Sequence, residues 1–335
     1  MRVLLSSYHN PFFWTITEYT ERSIMRLGHE LIPFDDRAFI FPGRLRKSVP
    51  FLRDIDLNRL NRRLISLAAS TNPDLCLVAG GNRILPETVQ KIKGQGIKTV
   101  LWTIDAPRNF RPILNAAPDY DFIFCGGTEA QELLARARIK KTYWLPFACE
   151  PDIHKPADVN REEKKKWESD VSFIGSYYPN RAQVLEKLVD FDLKVWGPGW
   201  KKLAKDSPLK KRAADTQLKP EEWVKVFSSN PINIVIHFQD GETLCYQAAP
   251  RVYEILACRG FLMVDDQKDV RSLFQDGRHL VIFKDMEDLR EKITYYLKQP
   301  EERKKIASQG YEETVNKHTY LNRLKEMFSV IEAGG

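Results

Sequence analysis

A chain of 335 residues exceeds what one hydrophobic core usually serves, so two domains are expected. Its 43% apolar and 29% charged residues are those of an ordinary globular protein, and no run of about 18 or more apolar residues offers a membrane span. The formal charge of +7 suits a phosphate-bearing ligand, an anionic surface or a merely solvated basic exterior; without an RNA-recognition motif, zinc finger or sustained basic helix, nucleic acid is not expected as a partner.

From the N-terminus, RVLLSS, ELIPFD, LCLVAGG, TVLWTID, DFIFCGG and KTYWLPF read as strands, with amphipathic stretches such as 57–70 and 86–93 between them. The opening MRVLLSSYHNPFFW has too short an apolar stretch, and no small-residue cleavage site, for a signal peptide; it reads as a first buried strand. In the stretch 150–168, Pro151, Pro156 and the charge run REEKKKW leave little to bury, and the interdomain connection is placed there. A second series follows: DVSFIGS, LKVWG, INIVIHF, GFLMVDD and HLVIFK, with helices near 181–188, 221–227, 250–258 and 285–297. The end is strongly helical, from Glu301 to about Ile331. Short apolar runs alternating with helices are the pattern of parallel sheets buried on both faces. The expected class is α/β, with two Rossmann-like domains facing a cleft onto which the carboxyl ends of both sheets open. The boundaries are 1–150, a linker over 151–168, a second domain over 169–315, and a last helix, 316–335, able to cross back to the first domain. The five cysteines, Cys76, Cys125, Cys149, Cys245 and Cys258, form no CxxC pair, so reduced thiols in a cytoplasmic protein are expected.

No GxGxxG loop is present, which disfavours a dehydrogenase, and no P-loop, HExxH or GxSxG motif occurs. The chemistry lies in strand-end loops. In SFIGSYYPNR, Gly175 permits close backbone approach, Ser176 can donate, and Arg181 near a helix start can hold a phosphate; an ordinary βα turn with a solvated arginine fits the same residues. In VWGPGW, Gly197 and Gly199 bracket a tight turn, and Trp200 suits either a nucleobase or a buried packing site. In AAPRVYEILACRGFLMVDD, Pro250 opens a helix, Arg251 and Glu254 share a face, and Gly260 ends it. A cation in the first turn opposes the helix dipole by roughly 0.3–1 kcal/mol, a cost that a bound anion would offset. Glu254 can accept from vicinal hydroxyls; a surface ion pair of about 0.2–0.5 kcal/mol is the alternative. The pair Asp265-Asp266 reads as a polar strand-end loop rather than a metal site. In the first half, His9 after the first strand and Asp105 after LWTI are candidate general bases, with a turn cap as the alternative for Asp105. The run Lys201, Lys202, Lys205, Lys210, Lys211 and Arg212 is either a solvated loop or a guide for an anionic acceptor or membrane surface.

Together SDVSFIGSYYPNR, VWGPGW, APRVYEILACRGFLMVDD and the tail YYLKQPEERKKIASQGYEETVNKHTYLNRLKEM resemble the CgeB-type (spore maturation protein-like) glycosyltransferases, within the group-1 glycosyltransferases of GT-B fold. The likeness is strong from about Asp170 onward and includes His318-Thr319-Tyr320 with Arg323. WTIDAP and YWLPFACEPDIHKP resemble the family's N-terminal region. The resemblance implies a glycosyltransferase with a nucleotide-diphosphate sugar as donor, a glycan, protein or cell-surface acceptor, and neither cofactor nor obligatory metal. The donor domain would be the second and the acceptor domain the first. Gly175, Ser176 and Arg181 would lie near the diphosphate, Arg251 would neutralise it, and Glu254 would bind the ribose. The first glutamate of the family's E-x7-E motif falls at Tyr246, a departure from the pattern of retaining relatives. A nucleotide-sugar epimerase of the same fold, or a non-catalytic nucleotide-sugar or glycan-binding protein, is the alternative.

Overall fold

The computed structural model describes residues 1–104 and 110–334, so Asp105 lies outside the described residues. The chain divides into two compact units, Met1–Pro146 with Tyr320–Gly335, and Phe147–Thr319.

The first unit is built on six strands: β1 (Arg2–Ser7), β2 (Glu30–Asp35), β3 (Leu75–Ala79), β4 (Lys98–Thr103), β5 (Phe122–Cys125) and β6 (Thr142–Trp144). They form one sheet in the order β2-β1-β3-β4-β5-β6, with every pair parallel. The runs expected from sequence are these strands, and β3 and β5 are buried at every residue. That is the burial a sheet covered on both faces imposes. A capping box starts the helix Ile16–Arg26, with Thr15 N–H donating to Glu18 at 2.6 Å. The helix Pro50–Thr71 presents Leu60, Leu64 and Ala68 to the core and stops at Asn72, which takes the left-handed conformation at φ 45°.

In the second unit the strands are β7 (Val171–Ile174), β8 (Leu193–Trp196), β9 (Ala213–Ala214), β10 (Ile232–Val235), β11 (Leu262–Asp265) and β12 (Val281–Phe283). Their order is β12-β11-β10-β7-β8-β9, again all parallel. The chain runs outward from β7 through β8 to β9, then returns to the other side of β7 as β10. The sheet therefore reverses direction between β7 and β10, and that boundary is the topological switch point. A buried side-chain bond holds the two strands in register, Ser172 Oγ lying 2.7 Å from Asn233 Oδ1.

One expectation differs from the structure. The stretch 151–168 is not an exposed connector but part of the second unit. Asn160 caps a helix, Arg161–Trp167, whose charges face outward while Trp167 is buried, its ring 6.1 Å from that of Trp196. The helical end is not one element. It is split into Pro300–Lys317 and Tyr320–Ala333 at His318-Thr319, where the His318 carbonyl accepts the Cys149 N–H at 2.9 Å. His318 packs in the second unit against Phe274 and Tyr253. Tyr320 lies in the first unit beside Tyr19, and Arg323 there donates to the Pro146 carbonyl at 3.0 Å.

Candidate functional site

In an open α/β sheet, ligands bind outside the carboxyl ends of the strands at the switch point. In the second unit that edge is formed by Gly175 and Ser176 after β7, and by Ile236 and His237 after β10. Gly197, after β8, has φ +147°, and a Cβ there would stand 2.0 Å from the Gly175 carbonyl oxygen. The two strand ends thus abut backbone to backbone, a contact only glycine permits. Trp200 closes this turn from below. It is 2% exposed, donates its indole N–H to the Gly175 carbonyl at 2.9 Å, and meets Phe173 and Tyr177 edge-on. Its expected role as a nucleobase platform is therefore corrected: the ring is core, and its one polar group holds the β7 end in place.

Arg181, in the first turn of the helix Pro179–Glu186, bridges the switch point. Its Nε donates to the Ile236 carbonyl at 2.8 Å and its Nη1 to the Ser176 carbonyl at 3.0 Å. Its guanidinium lies 4.9 Å from the centre of the Tyr178 ring. Burial pulls its pKa below the ordinary arginine value, against the opposing influence of Tyr178 and Asp265. Neighbouring Asn180 donates to the His237 carbonyl at 2.8 Å. One helix start thus fastens both strand ends, which leaves Arg181 a fixed positive charge rather than a solvated one.

His237 carries the fastening one element further. Its Nε2 accepts the Ala249 N–H at 2.9 Å, and Ala249 is the cap residue of the helix Pro250–Ala257. With Nε2 accepting, the ring proton sits on Nδ1, which lies 2.6 Å from Asp265 Oδ1. Burial alone would raise the Asp265 pKa. The electrostatic influence of His237, together with hydrogen bonds from the His237 ring, the Gln267 amide and the His237 N–H, more than offsets this and leaves it below the usual carboxylate range. Asp266 is engaged by Arg271, with Oδ2 at 2.8 Å from Nη2. Both carboxylates of the Asp265-Asp266 pair therefore have cationic or imidazole partners of their own.

The helix that His237 caps presents Arg251 and Glu254 one turn apart. They form an ion pair, but not the surface pair considered from sequence. Glu254 is 8% exposed, and the Arg251 guanidinium is stacked 4.1 Å over Trp223. Behind them, buried His154 accepts the Glu150 N–H on Nδ1 at 3.0 Å, so its neutral ring carries the proton on Nε2, 4.0 Å from Glu254 Oε1. Burial lowers the His154 pKa to about 4, Glu254 opposing and Arg251 adding to the shift. The result is a carboxylate and a guanidinium held in fixed geometry at a helix start, flanked by Trp223 and a neutral histidine. Such a set can neutralise a diphosphate and accept from vicinal hydroxyls. Sequence reasoning found Arg251 and Glu254 but missed His154, Trp223 and His237. For His237 a signal existed: it follows an apolar strand directly, as His9 does.

At the β1 end of the first unit, His9 Nε2 lies 2.7 Å from Glu21 on the helix Ile16–Arg26. Asp36, 2% exposed after β2, faces Arg83 at 3.5 Å; burial raises its pKa, with Arg83 and Arg37 opposing. Neither Asp36 nor Arg83 was singled out from sequence. The basic run 201–212 is a pair of short turns anchored by buried Leu203 and Leu209, with Lys201 near Asp215 and Arg212 near Asp192. Among the described residues, which include all five cysteines, no disulfide is formed, and no helix is long and apolar enough to cross a membrane.

Comparison with known proteins agrees with this architecture. A family model described as glycosyl transferase-like matches residues 181–329. The spore protein CgeB of Bacillus subtilis (strain 168) is 25% identical over 261 residues, spanning 74% of this chain and 80% of that relative. Sucrose-phosphate synthase of Thermosynechococcus elongatus superposes with a TM-score of 0.70 at 10% identity, over the whole of both chains. HepE of Anabaena, solved in complex with UDP and glucose, gives 0.69 at 10% identity over 99% of this chain and all of that one. At such identities the solved structures speak for the fold. They show the GT-B fold, and the family match and the CgeB relative support a glycosyltransferase similar to the CgeB type of the group-1 enzymes.

Proposed function

We propose that the chain transfers a sugar from a nucleotide-diphosphate sugar to a glycan, protein or cell-surface acceptor, without a metal ion or cofactor. The observation that carries this reading is the Arg251–Glu254 pair, fixed at the helix start that His237 ties to the switch point. In this reading Arg251 and the two helix starts face the diphosphate, and Glu254 accepts from the ribose hydroxyls. As the glycosidic bond breaks, negative charge grows on the departing nucleoside diphosphate, and fixed cations stabilise it without reorganising. Arg181 adds to that field from the far side of the switch point. The engagement of Asp265 by His237 and of Asp266 by Arg271 supports a donor site that uses protein cations in place of a metal. HepE and an alpha-glucosyltransferase of similar fold were solved with UDP, so UDP is the first nucleotide to test. On the acceptor side we propose His9 or Asp105 as general base. The Glu21 carboxylate on His9 Nε2 would orient the imidazole and leave Nδ1 to take the acceptor proton.

Product analysis with a radiolabelled nucleotide sugar tests the proposal. A labelled acceptor is expected. A new nucleotide sugar would indicate epimerisation instead, and unchanged donor would indicate binding alone.

A further inference from the structure

Besides the run 201–212, one stretch of the first unit carries a large excess of positive charge. Residues 37–63 hold eight arginines and lysines against two aspartates, an excess of six in a chain whose total is +7. The same stretch exposes large apolar side chains, including Ile40, Leu45, Val49 and Phe51, the last 69% exposed. The helix Gly43–Ser48 buries no residue at all.

This segment is nevertheless pinned. Buried Asp56 accepts the N–H groups of Ile40 at 2.9 Å and Phe41 at 3.1 Å, and faces Arg46 at 3.6 Å. Arg46 in turn lies 3.8 Å over Phe39 and donates to the Phe41 carbonyl. Along the helix Pro50–Thr71, Phe51, Ile55, Arg59, Arg62 and Ser66 recur every three or four residues, opposite the buried Leu60, Leu64 and Ala68. Arg59, Arg62 and Arg63 line a groove of about 800 Å³ whose apolar wall includes Phe34 and Ile55. One helical face therefore begins apolar and continues as arginine.

We propose that this face docks the protein on an anionic lipid bilayer. Leu45, Val49, Phe51 and Ile55 would enter the boundary between headgroups and acyl chains, with the arginines beside them on lipid phosphates. Apolar side chains interleaved with cations are what such a surface selects. The charge argues against the other occupants. A second copy would bring the same cationic face against itself, and a nucleic acid would have no use for the Leu45–Phe51 crest. The basic run 201–212, considered from sequence for this role, exposes no large apolar side chain. The proposal stands independently of the sugar-transfer reading.

The test is co-flotation of the full chain with vesicles of phosphatidylcholine alone, or of phosphatidylcholine mixed with phosphatidylglycerol. Capture by the mixed vesicles only is expected, and added salt should weaken it, since exposed charges are screened over about 8 Å at physiological ionic strength. Leu45→Ser with Phe51→Ser is expected to lower partitioning by about tenfold or more, and Arg59→Ser with Arg62→Ser to remove the preference for anionic vesicles. Both pairs should keep the wild-type circular dichroism and unfolding midpoint, because these side chains bury little. No capture, equal capture by both vesicle types, or undiminished capture of the Leu45/Phe51 double variant would overturn the proposal. So would a vesicle-free dimer that the Leu45/Phe51 changes dissolve, which would assign the face to a second copy.

Discussion

Glu254 has two neighbours that give it different duties. Arg251 pairs with it in the first turn, and His154 faces it from below at 4.0 Å. If Glu254 accepts from ribose hydroxyls, Glu254→Gln should weaken a free nucleoside and its diphosphate alike, by about ten- to a hundredfold, the worth of a hydrogen bond to a charged group. Calorimetric titration of both ligands checks this, and a loss confined to the diphosphate would place Glu254 elsewhere. His154 supplies a pH dependence. Its pKa falls from an ordinary 6.5 to about 4 in the fold, so between those values the unfolded chain binds the extra proton. Stability is then full above about 6.5 and declines as pH falls toward 4, by roughly 3 kcal/mol in all. Urea midpoints measured across that window should fall less steeply for His154→Gln than for the wild type; parallel slopes would show that His154 titrates normally. Arg251 and Glu254 were legible because a three-residue spacing on a proline-started helix is a local pattern. His154 was not, because it comes from a distant part of the chain and only folding brings it beneath Glu254. Trp200 stayed open because a tryptophan beside two glycines satisfies a stacking platform and a packed turn equally; its 2% exposure decides for packing.

The strands were the most legible elements, since a sheet covered on both faces writes itself as unbroken apolar runs. The strand β9, two alanines long, carries no such signal and was missed. The last helix, placed from 316 by sequence, starts at Tyr320, after a break at His318-Thr319 where a backbone bond reaches Cys149, far away in sequence. Trp167 ends a charge run whose composition says solvent, yet one aromatic suffices to bury that side of the helix. The abutting ends of β7 and β8 make a prediction at this scale. Gly197→Ala combines an unfavourable φ of +147° with a Cβ placed 2.0 Å from the Gly175 oxygen. It should lower stability by at least about 1–3 kcal/mol and weaken nucleotide binding by shifting the β7 loop. A denaturation midpoint equal to the wild type would show that the strand ends do not abut.

At the scale of the whole molecule, two α/β units could be read from the order of apolar and amphipathic segments, because each unit repeats the same βα pattern. The division itself was harder. The second unit begins at Phe147, inside what reads as the first domain, while the last helix belongs to the first unit, the return that the sequence reading allowed for. Lysines in a row at 201–212 draw the eye, whereas the larger surplus at 37–63 is interleaved with apolar residues and reads as an ordinary helix until burial is known. In the proposed function the switch point of the second unit would hold a nucleoside diphosphate through Arg251, with no metal. Titration calorimetry of UDP, GDP and dTDP in the presence of EDTA tests it most directly, on the wild type and on Arg251→Ala. The account predicts that one of these nucleotides binds the wild type at one equivalent. Arg251→Ala should bind it about ten- to a hundredfold more weakly, with the free nucleoside little affected. Binding that requires manganese, or equal affinity of the wild type and Arg251→Ala, would contradict it.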